Sequence, residues 1–323
     1  MTVLVTGAAG FIGSHVAHLL LERGDRVIGL DDLNNYYDVT LKEARLARLT
    51  ARDGFTFVRE DVGDKEAMAG LADRFPGIDR IVHLAAQAGV RHSLSHPHAY
   101  THANIEGQLN MLELARRLPN LRHLAYASSS SVYGANTKVP FAVEDRVDLP
   151  VSLYAATKRA GELMAHCYSH LYGIPATGLR FFTVYGPWGR PDMSAYIFTR
   201  AIFEGRPITI FNNGDMKRDF TYVDDIATGV VAALDRPASG TPPHTVYNLG
   251  NHRCEPLMRF VELLEQAIGR EAIKQFAPMQ PGDVKETYAD IAASQRDLGF
   301  QPATSIEEGL HRFVAWYRGY HGA

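Results

Sequence analysis

Tyr154 and Lys158 stand four residues apart in the string "LYAATK". On a helix that spacing puts both side chains on one face. An ammonium near a phenol favours phenolate and draws the tyrosine pKa toward neutrality. A tyrosine tuned in this way can accept a proton. Alone, the pair is a common chance arrangement and reads equally well as an exposed helix face. Upstream, the apolar run "LRHLAYA" leads straight into four serines, Ser128 to Ser131. A flexible linker has no reason to sit at the end of a buried strand, so the serines read as a row of hydroxyls at a strand tip. Ser129, Ser130 and Ser131 can then offer hydrogen bonds to an uncharged ketone or a carboxylate, while Ser128 is expected to pair with local backbone.

A third feature comes first in the chain. "GAAGFIG" places Gly7, Gly10 and Gly13 between a strand and a helix. Gly7 permits a tight turn, Gly10 lets backbone approach a pyrophosphate, and Gly13 lets helix and strand pack closely, with free helix N–H groups facing the phosphates. The second strand ends in "LDD", and Asp31 lies where an acid accepts hydrogen bonds from an adenosine ribose. A carboxylate there repels the extra phosphate of NADP, so NAD is the expected cofactor. The alternative is that Asp31 or Asp32 merely caps the following loop.

The elements that must position these groups are legible as alternation. "TVLVTG", "RVIGLDD", "FTFVRED", "RIVHLAA", "LRHLAYASSS" and "ATGLRFF" read as strands, with helical stretches such as "SHVAHLLLERG" between them. That order predicts an α/β fold, a doubly wound parallel sheet of Rossmann type. Residues 1–180 form the expected dinucleotide-binding domain. After about Arg180 the alternation breaks. "TVYGPWGRPDM" reads as an ordered loop, and residues 181–323 read as a smaller mixed α/β lobe, with segments of about 219–250 returning to the main sheet. The 323 residues are 46% hydrophobic and 21% charged, ordinary for a globular chain with a sizeable core. A formal net charge of −3 without a long basic run argues against nucleic acid or an anionic membrane as the main partner. Two cysteines with no metal-type pairing point to a reducing cytosol. No apolar stretch is long enough to span a bilayer. "RHSLSHPHAYTH" carries four histidines, but Pro97 interrupts their helical spacing and no nearby ligand completes a set, so no metal site is expected.

Taken together, Gly7, Gly10, Gly13, Ser129, Tyr154 and Lys158 resemble the extended short-chain dehydrogenase/reductase superfamily. Within it, "DDLNNYYD", "HLAAQAGVR", "SLYAATKRAGE", "LRFFTVYGPWGRPDM" and "RDFTYVDDI" are most similar to the UDP-glucuronate 4-epimerases. The resemblance implies a UDP-sugar substrate, with Tyr154 as base, Lys158 holding the nicotinamide ribose, and Ser129 on the sugar 4-oxygen. It extends the NAD-binding set to Phe11, Ile12, Asn34, Asp61, Val62, Leu84, Ala85 and Ala86. On the substrate side it implies Arg91, Ser130, Ser131, Thr183, Arg190, Arg218 and Asp283. Arg218 would meet the UDP diphosphate through its planar donor fork, or else form a surface salt bridge with Asp219 or Asp224. Arg190 would act on the uronate directly or through its loop, or else only pin that loop against Asp192. The dehydratases of this superfamily carry an Asp-Glu pair where this chain has Ser130 and Ser131, so dehydration has no obvious acid. A UDP-glucose 4-epimerase, a UDP-glucuronate decarboxylase and a non-catalytic nucleotide-sugar sensor are the competing readings. The family also implies a cytoplasmic homodimer.

Overall fold

Short runs of branched apolar residues, buried on both sides, are the signature of a parallel sheet covered by helices on two faces. Seven runs pair here, the inner five largely buried and the edge runs β3 and β7 only partly so: β1 (Thr2–Thr6), β2 (Arg26–Leu30), β3 (Phe55–Val58), β4 (Arg80–His83), β5 (His123–Ser129), β6 (Ala176–Phe181) and β7 (His244–Leu249). Every ladder is parallel, and the spatial order is β7-β6-β5-β4-β1-β2-β3. The computed structural model describes residues 1–280 and 284–323. The doubly wound sheet expected from the alternation is the one that forms.

The chain winds outward through β1, β2 and β3, then returns to place β4 on the other side of β1. This reversal leaves a crevice at the carboxyl ends of β1 and β4, the position where open α/β sheets bind ligands. Helix α1 (Phe11–Glu22) follows β1, α2 (Val39–Thr50) follows β2, α3 (Lys65–Arg74) follows β3, α4 (Gly107–Arg117) follows β4 and α5 (Leu153–Tyr172) follows β5. One face of the sheet packs Phe11, Val16 and Leu20 of α1 with Val223, Ile226 and Val230 of α6 (Val223–Leu234). The other packs Met68 and Leu71 with Met111, Leu112 and Ala165. A third cluster joins Tyr196, Ile208 and Phe260 with Leu310 and Phe313, under α7 (Leu257–Ile268) and α8 (Ile306–His321).

Three details depart from the sequence reading. The string "TVYGPWGRPDM" is a strand at its start: Thr183–Tyr185 pairs in parallel with Phe220–Tyr222. A three-residue run whose partner is so distant leaves no local periodic signal. The serine-tipped strand ends at Ser129, because the Ser129 hydroxyl accepts the Ser131 N–H at 3.2 Å and the chain tightens into a 3₁₀ turn over Ser130–Tyr133.

Ser128 also differs from expectation. Its hydroxyl donates to Glu162 Oε1 at 2.6 Å instead of pairing with local backbone. Glu162 is 1% exposed and forms a forked ion pair with Arg180 of β6, at 2.8 Å from Nε and 2.9 Å from Nη2. Arg180 reaches on to the Tyr133 hydroxyl at 3.0 Å, which donates to Asn248 at 2.7 Å. The network thus joins β5, β6, β7 and α5. Removing one member of a buried pair leaves the other uncompensated. Glu162→Ala should therefore destabilise the protein by about 3–5 kcal/mol, the range typical of broken buried pairs. Ser128→Ala should cost about 1 kcal/mol, as for a single lost hydrogen bond. Urea unfolding of both variants checks this, and equal small losses would show that the network is dispensable.

Candidate active site

A cleft of about 1210 Å³ opens at the sheet's carboxyl edge. Its wall brings together the glycine turn, the tips of β2, β4 and β5, the start of α5 and the residues after β6. All the sequence-selected site residues lie on it except Asp283, which falls outside the described residues.

The dinucleotide half has backbone geometry that only glycine satisfies. Gly7 has φ +70°, and a Cβ on Gly13 would sit 2.0 Å from the Gly7 carbonyl oxygen. A Cβ on Gly10 would sit 2.8 Å from the same atom. Gly10 is also the N-cap of α1 and supplies no side-chain cap, so the first-turn amides face the crevice without a side-chain acceptor. These features fit a pyrophosphate. Phe11 and Ile12 open that helix beside it. Asp31 is buried at the tip of β2 and accepts N–H bonds from Ala9 at 3.1 Å and Leu33 at 2.9 Å. It therefore organises its own loop while lining the cleft. Burial pushes its pKa up, and Lys42 pulls it back. Lys42 lies 3.9 Å away and donates to Asn34 at 3.0 Å. Leu84 and Ala85 donate their amides to the Thr6 hydroxyl at 3.2 and 3.1 Å, which sets the path of the chain through Ala86. Asp61 precedes Val62 at the far end. It accepts the Gly63 amide at 2.7 Å and sits 2.8 Å from His102 Nε2.

At the centre, Ser152 caps α5 by accepting the Ala155 amide at 3.1 Å, which fixes the helix start at Leu153. Tyr154 and Lys158 then project from one face of its first turns. The Ser129 side chain neighbours the Tyr154 phenol and draws its pKa down, and the Tyr100 ring meets the Tyr154 ring edge-on at 6.1 Å. The electrostatics correct the sequence reading. Burial holds Tyr154 above its ordinary pKa, and the groups that draw it down are Ser129 and then Arg190. Lys158 instead donates to the Ala127 carbonyl at 3.1 Å, and burial lowers its own pKa to about 8. In the protein by itself Tyr154 is a neutral phenol.

Ser130 and Ser131, next to Ser129, and Thr183 also line the cleft. Arg190 is forked onto Asp192, with Nε 3.0 Å from Oδ1 and Nη2 bonded to Oδ2. The loop-pinning alternative thus describes its contacts, while the side chain still lines the cleft. Arg218 donates to the Lys217 carbonyl at 2.8 Å and the Lys285 carbonyl at 3.1 Å. The suggested partner Asp219 is instead buried under Asn251 and Ala289 amides at 2.6 and 3.1 Å. Arg91 lies over the Phe211 ring at 4.5 Å. His92 and His96 stack at 4.1 Å at the cleft mouth. Among the described residues no group of three His, Cys, Asp or Glu is placed to hold a metal ion.

Sequence reasoning missed Lys42 and Tyr36, and it read His102 only as one of four histidines in a polar stretch. Tyr36 donates to Asp192 at 3.1 Å. Its only trace was its place in the string "DDLNNYYD"; Lys42 is a single polar residue on a helix, and the Asp61 partner of His102 lies 41 residues away.

The NAD dependent epimerase/dehydratase family model matches residues 3–250. The probable UDP-glucuronate 4-epimerase of Rhizobium meliloti is 49% identical over 332 residues, covering 98% of this chain and 97% of that one. UDP-glucuronate 4-epimerase 1 of Arabidopsis thaliana is 47% identical, covering 100% of this chain and 78% of that one. The structure of UDP-glucuronic acid 4-epimerase from Bacillus cereus in complex with UDP-glucuronic acid and NAD superposes with a TM-score of 0.91 at 36% identity, covering 99% of this chain and all of that one.

The Asp61 hydrogen bond raises the His102 pKa above its ordinary 6.5, with Glu106 assisting against partial burial. The folded protein then binds more protons than the unfolded chain above pH 6.5. This stabilisation is complete below 6.5 and is lost as pH rises through the folded pKa. The melting-temperature gap between the native protein and His102→Asn should be larger at about pH 6 than at about pH 8.5. Scanning fluorimetry at the two pH values measures it; an unchanged gap would remove His102 as the source.

Proposed function

The chain belongs to the NAD dependent epimerase/dehydratase family, and from that premise and the side chains of its cleft we propose that it interconverts UDP-glucuronate and UDP-galacturonate. The carrying observation is the set Ser129, Tyr154 and Lys158, gathered in one cleft with the Ser130 and Ser131 hydroxyls beside Ser129 where dehydratases carry acids. Bound NAD supplies the hydride acceptor and donor at sugar C4, so a 4-keto sugar lies between the two epimers. Gly7, Gly10, Gly13 and the start of α1 hold the dinucleotide pyrophosphate, Asp31 the adenosine ribose, and Asp61 and Val62 the adenine end. Tyr154 takes the proton of the 4-hydroxyl and returns it, and Ser129 hydrogen-bonds the phenol and the same oxygen. Lys158, buried and close to its ionisation point, is placed at the nicotinamide ribose. A cation held there assists loss of the Tyr154 proton once the site is filled.

Ser130, Ser131 and Thr183 offer the uronate carboxylate neutral hydrogen bonds, and Arg190 works beside them while paired to Asp192. Arg218 and Arg91 serve the UDP diphosphate. The assignment of residues 181–323 to the substrate lobe, with 219–250 returning to the sheet, rests on this division of roles. A homodimer through α4 and α5 is supported by exposed Leu109, Leu163, Leu171 and Tyr172 on those neighbouring helices. A cytoplasmic setting is supported by two free cysteines. Among the described residues no helix is long and apolar enough to cross a membrane.

Incubation with UDP-glucuronate followed by NMR of the sugar should show UDP-galacturonate as the main product, with UDP-glucose turned over much more slowly. Equal rates on both sugars would favour a glucose epimerase, and a dominant UDP-pentose would favour a decarboxylase. Tyr154→Phe should lower turnover by about 100-fold to 10,000-fold while keeping NAD, because only the proton acceptor is lost. Denaturing the purified protein should release NAD, whereas Gly13→Ala, whose Cβ meets the Gly7 carbonyl, should release little. NADP as the main nucleotide would overturn the Asp31 argument.

A further inference from the structure

Helix α2 buries four side chains, and two of them, Lys42 and Arg45, are cations. A buried cation is costly unless its donors are answered. Arg45 is 0% exposed, and its planar fork carries five N–H donors. The structure answers all five. Nε donates to the Trp188 carbonyl at 3.0 Å, and Nη2 to the same carbonyl at 2.6 Å and to the Gly189 carbonyl at 3.1 Å. Nη1 donates to the Ala9 carbonyl at 3.2 Å and to the Tyr37 phenol at 2.6 Å.

These partners come from two separate places. Ala9 belongs to the glycine turn. Trp188 and Gly189 belong to the loop that delivers Arg190. Trp188 has φ +62°, left-handed backbone that a bulky residue rarely adopts. Such a conformation persists only where the surroundings hold it, and the doubly bonded Trp188 carbonyl is one such hold. The far end of the loop is held from the same segment. Tyr36 donates to Asp192, the partner of Arg190, at 3.1 Å. Burial and then Asp192 push the Tyr36 phenol up to about 12, so it remains a donor. Residues 36–45 therefore grip the Trp188–Asp192 loop at both ends and tie it to the glycine turn.

We infer that Arg45, supported by Tyr36, is a positioning residue that fixes the loop bearing Arg190 against the dinucleotide turn and thereby sets how the sugar carboxylate is held. This rests on the uronate reading above. Once the sugar carries a 4-ketone, its C5–C6 bond must stay out of line with the keto π system. When it aligns, that bond breaks, its electron pair enters the π system as an enolate, carbon dioxide leaves and C5 takes a proton from water. The product is a UDP-4-keto-pentose, which becomes UDP-pentose when the hydride taken from C4 returns there, so a loosened loop raises UDP-pentose as well as KM.

The test uses NAD-loaded full-length protein. Arg45→Lys keeps a charge but has three donors and no fork. Tyr36→Phe keeps the ring and removes one donor, so it carries the test if Arg45→Lys does not fold. Loop placement is read by acrylamide quenching of Trp188 in a Trp316→Phe background, since the chain has 2 tryptophans. Arg45→Lys should raise Trp188 quenching, retain NAD, and raise KM for UDP-glucuronate by about tenfold, the factor that about one charge-assisted bond supplies. UDP-glucose KM should move much less, and the UDP-pentose share should rise. Tyr36→Phe should move the same readouts in the same direction by less. Equal losses on both sugars with unchanged quenching would make Arg45 a purely structural residue and overturn the inference. Unchanged KM, pentose and quenching in Tyr36→Phe would overturn the part assigned to Tyr36. If the native protein does not epimerise UDP-glucuronate, the functional reading fails alone, and Trp188 quenching still decides whether Arg45 places the loop.

Discussion

The catalytic wall depends on one stripe of α5. Tyr154, Lys158 and Glu162 recur every four residues, so they lie on the same face of the helix. Each meets one of three consecutive residues of β5: Ser129 neighbours the Tyr154 phenol, the Ala127 carbonyl accepts from the Lys158 ammonium, and the Ser128 hydroxyl donates to the Glu162 carboxylate. Glu162 is further locked to Arg180 of β6 at 2.8 Å. A buried ion pair is weak evidence for stability, because desolvation offsets its attraction. Its geometric demand is strict, however, since a slip of the helix along the strand breaks several bonds at once. The row of serines is thereby divided: Ser128 anchors the helix, Ser129 meets the phenol, and Ser130 and Ser131 turn into the cleft.

The cleft is assembled from balanced charges. Asp31 has Lys42 beside it and Arg190 has Asp192. Arg45 has carbonyl dipoles from two loops. Such an arrangement can hold an anionic nucleotide sugar and a dinucleotide without leaving a buried charge unanswered when neither is bound. It also explains why the Tyr154 phenol stands high in the protein by itself. Lys158 is committed to a backbone carbonyl, and burial outweighs the nearby Ser129 side chain and the Arg190 charge.

Much of this architecture was legible in the chain. The glycine turn announced itself because only glycine can pass so close to its own backbone, as the 2.0 Å approach at Gly13 makes concrete. The strands announced themselves because a doubly covered parallel sheet needs continuous apolar runs. Tyr154 and Lys158 were found by helical spacing. The three-residue strand at Thr183–Tyr185, by contrast, exists through its pairing with Phe220–Tyr222, and the Ser128 hydroxyl went to a partner that local sequence did not suggest.

Local sequence by itself determined the order of elements, the dinucleotide turn, the acid after β2 and the residues able to move a proton, because each depends on chain stiffness, periodicity or steric demands within a few neighbours. Only the tertiary structure decided which charges face one another. Glu162 meets Arg180, Asp61 meets His102, and Tyr36 meets Asp192 across 156 residues. Likewise the ionisation of Tyr154 is governed by burial before any neighbour acts. Burial and long-range pairing arise from the packing of the whole chain, and their electrostatic effect grows as water is excluded, so spacing along the sequence carries no measure of either.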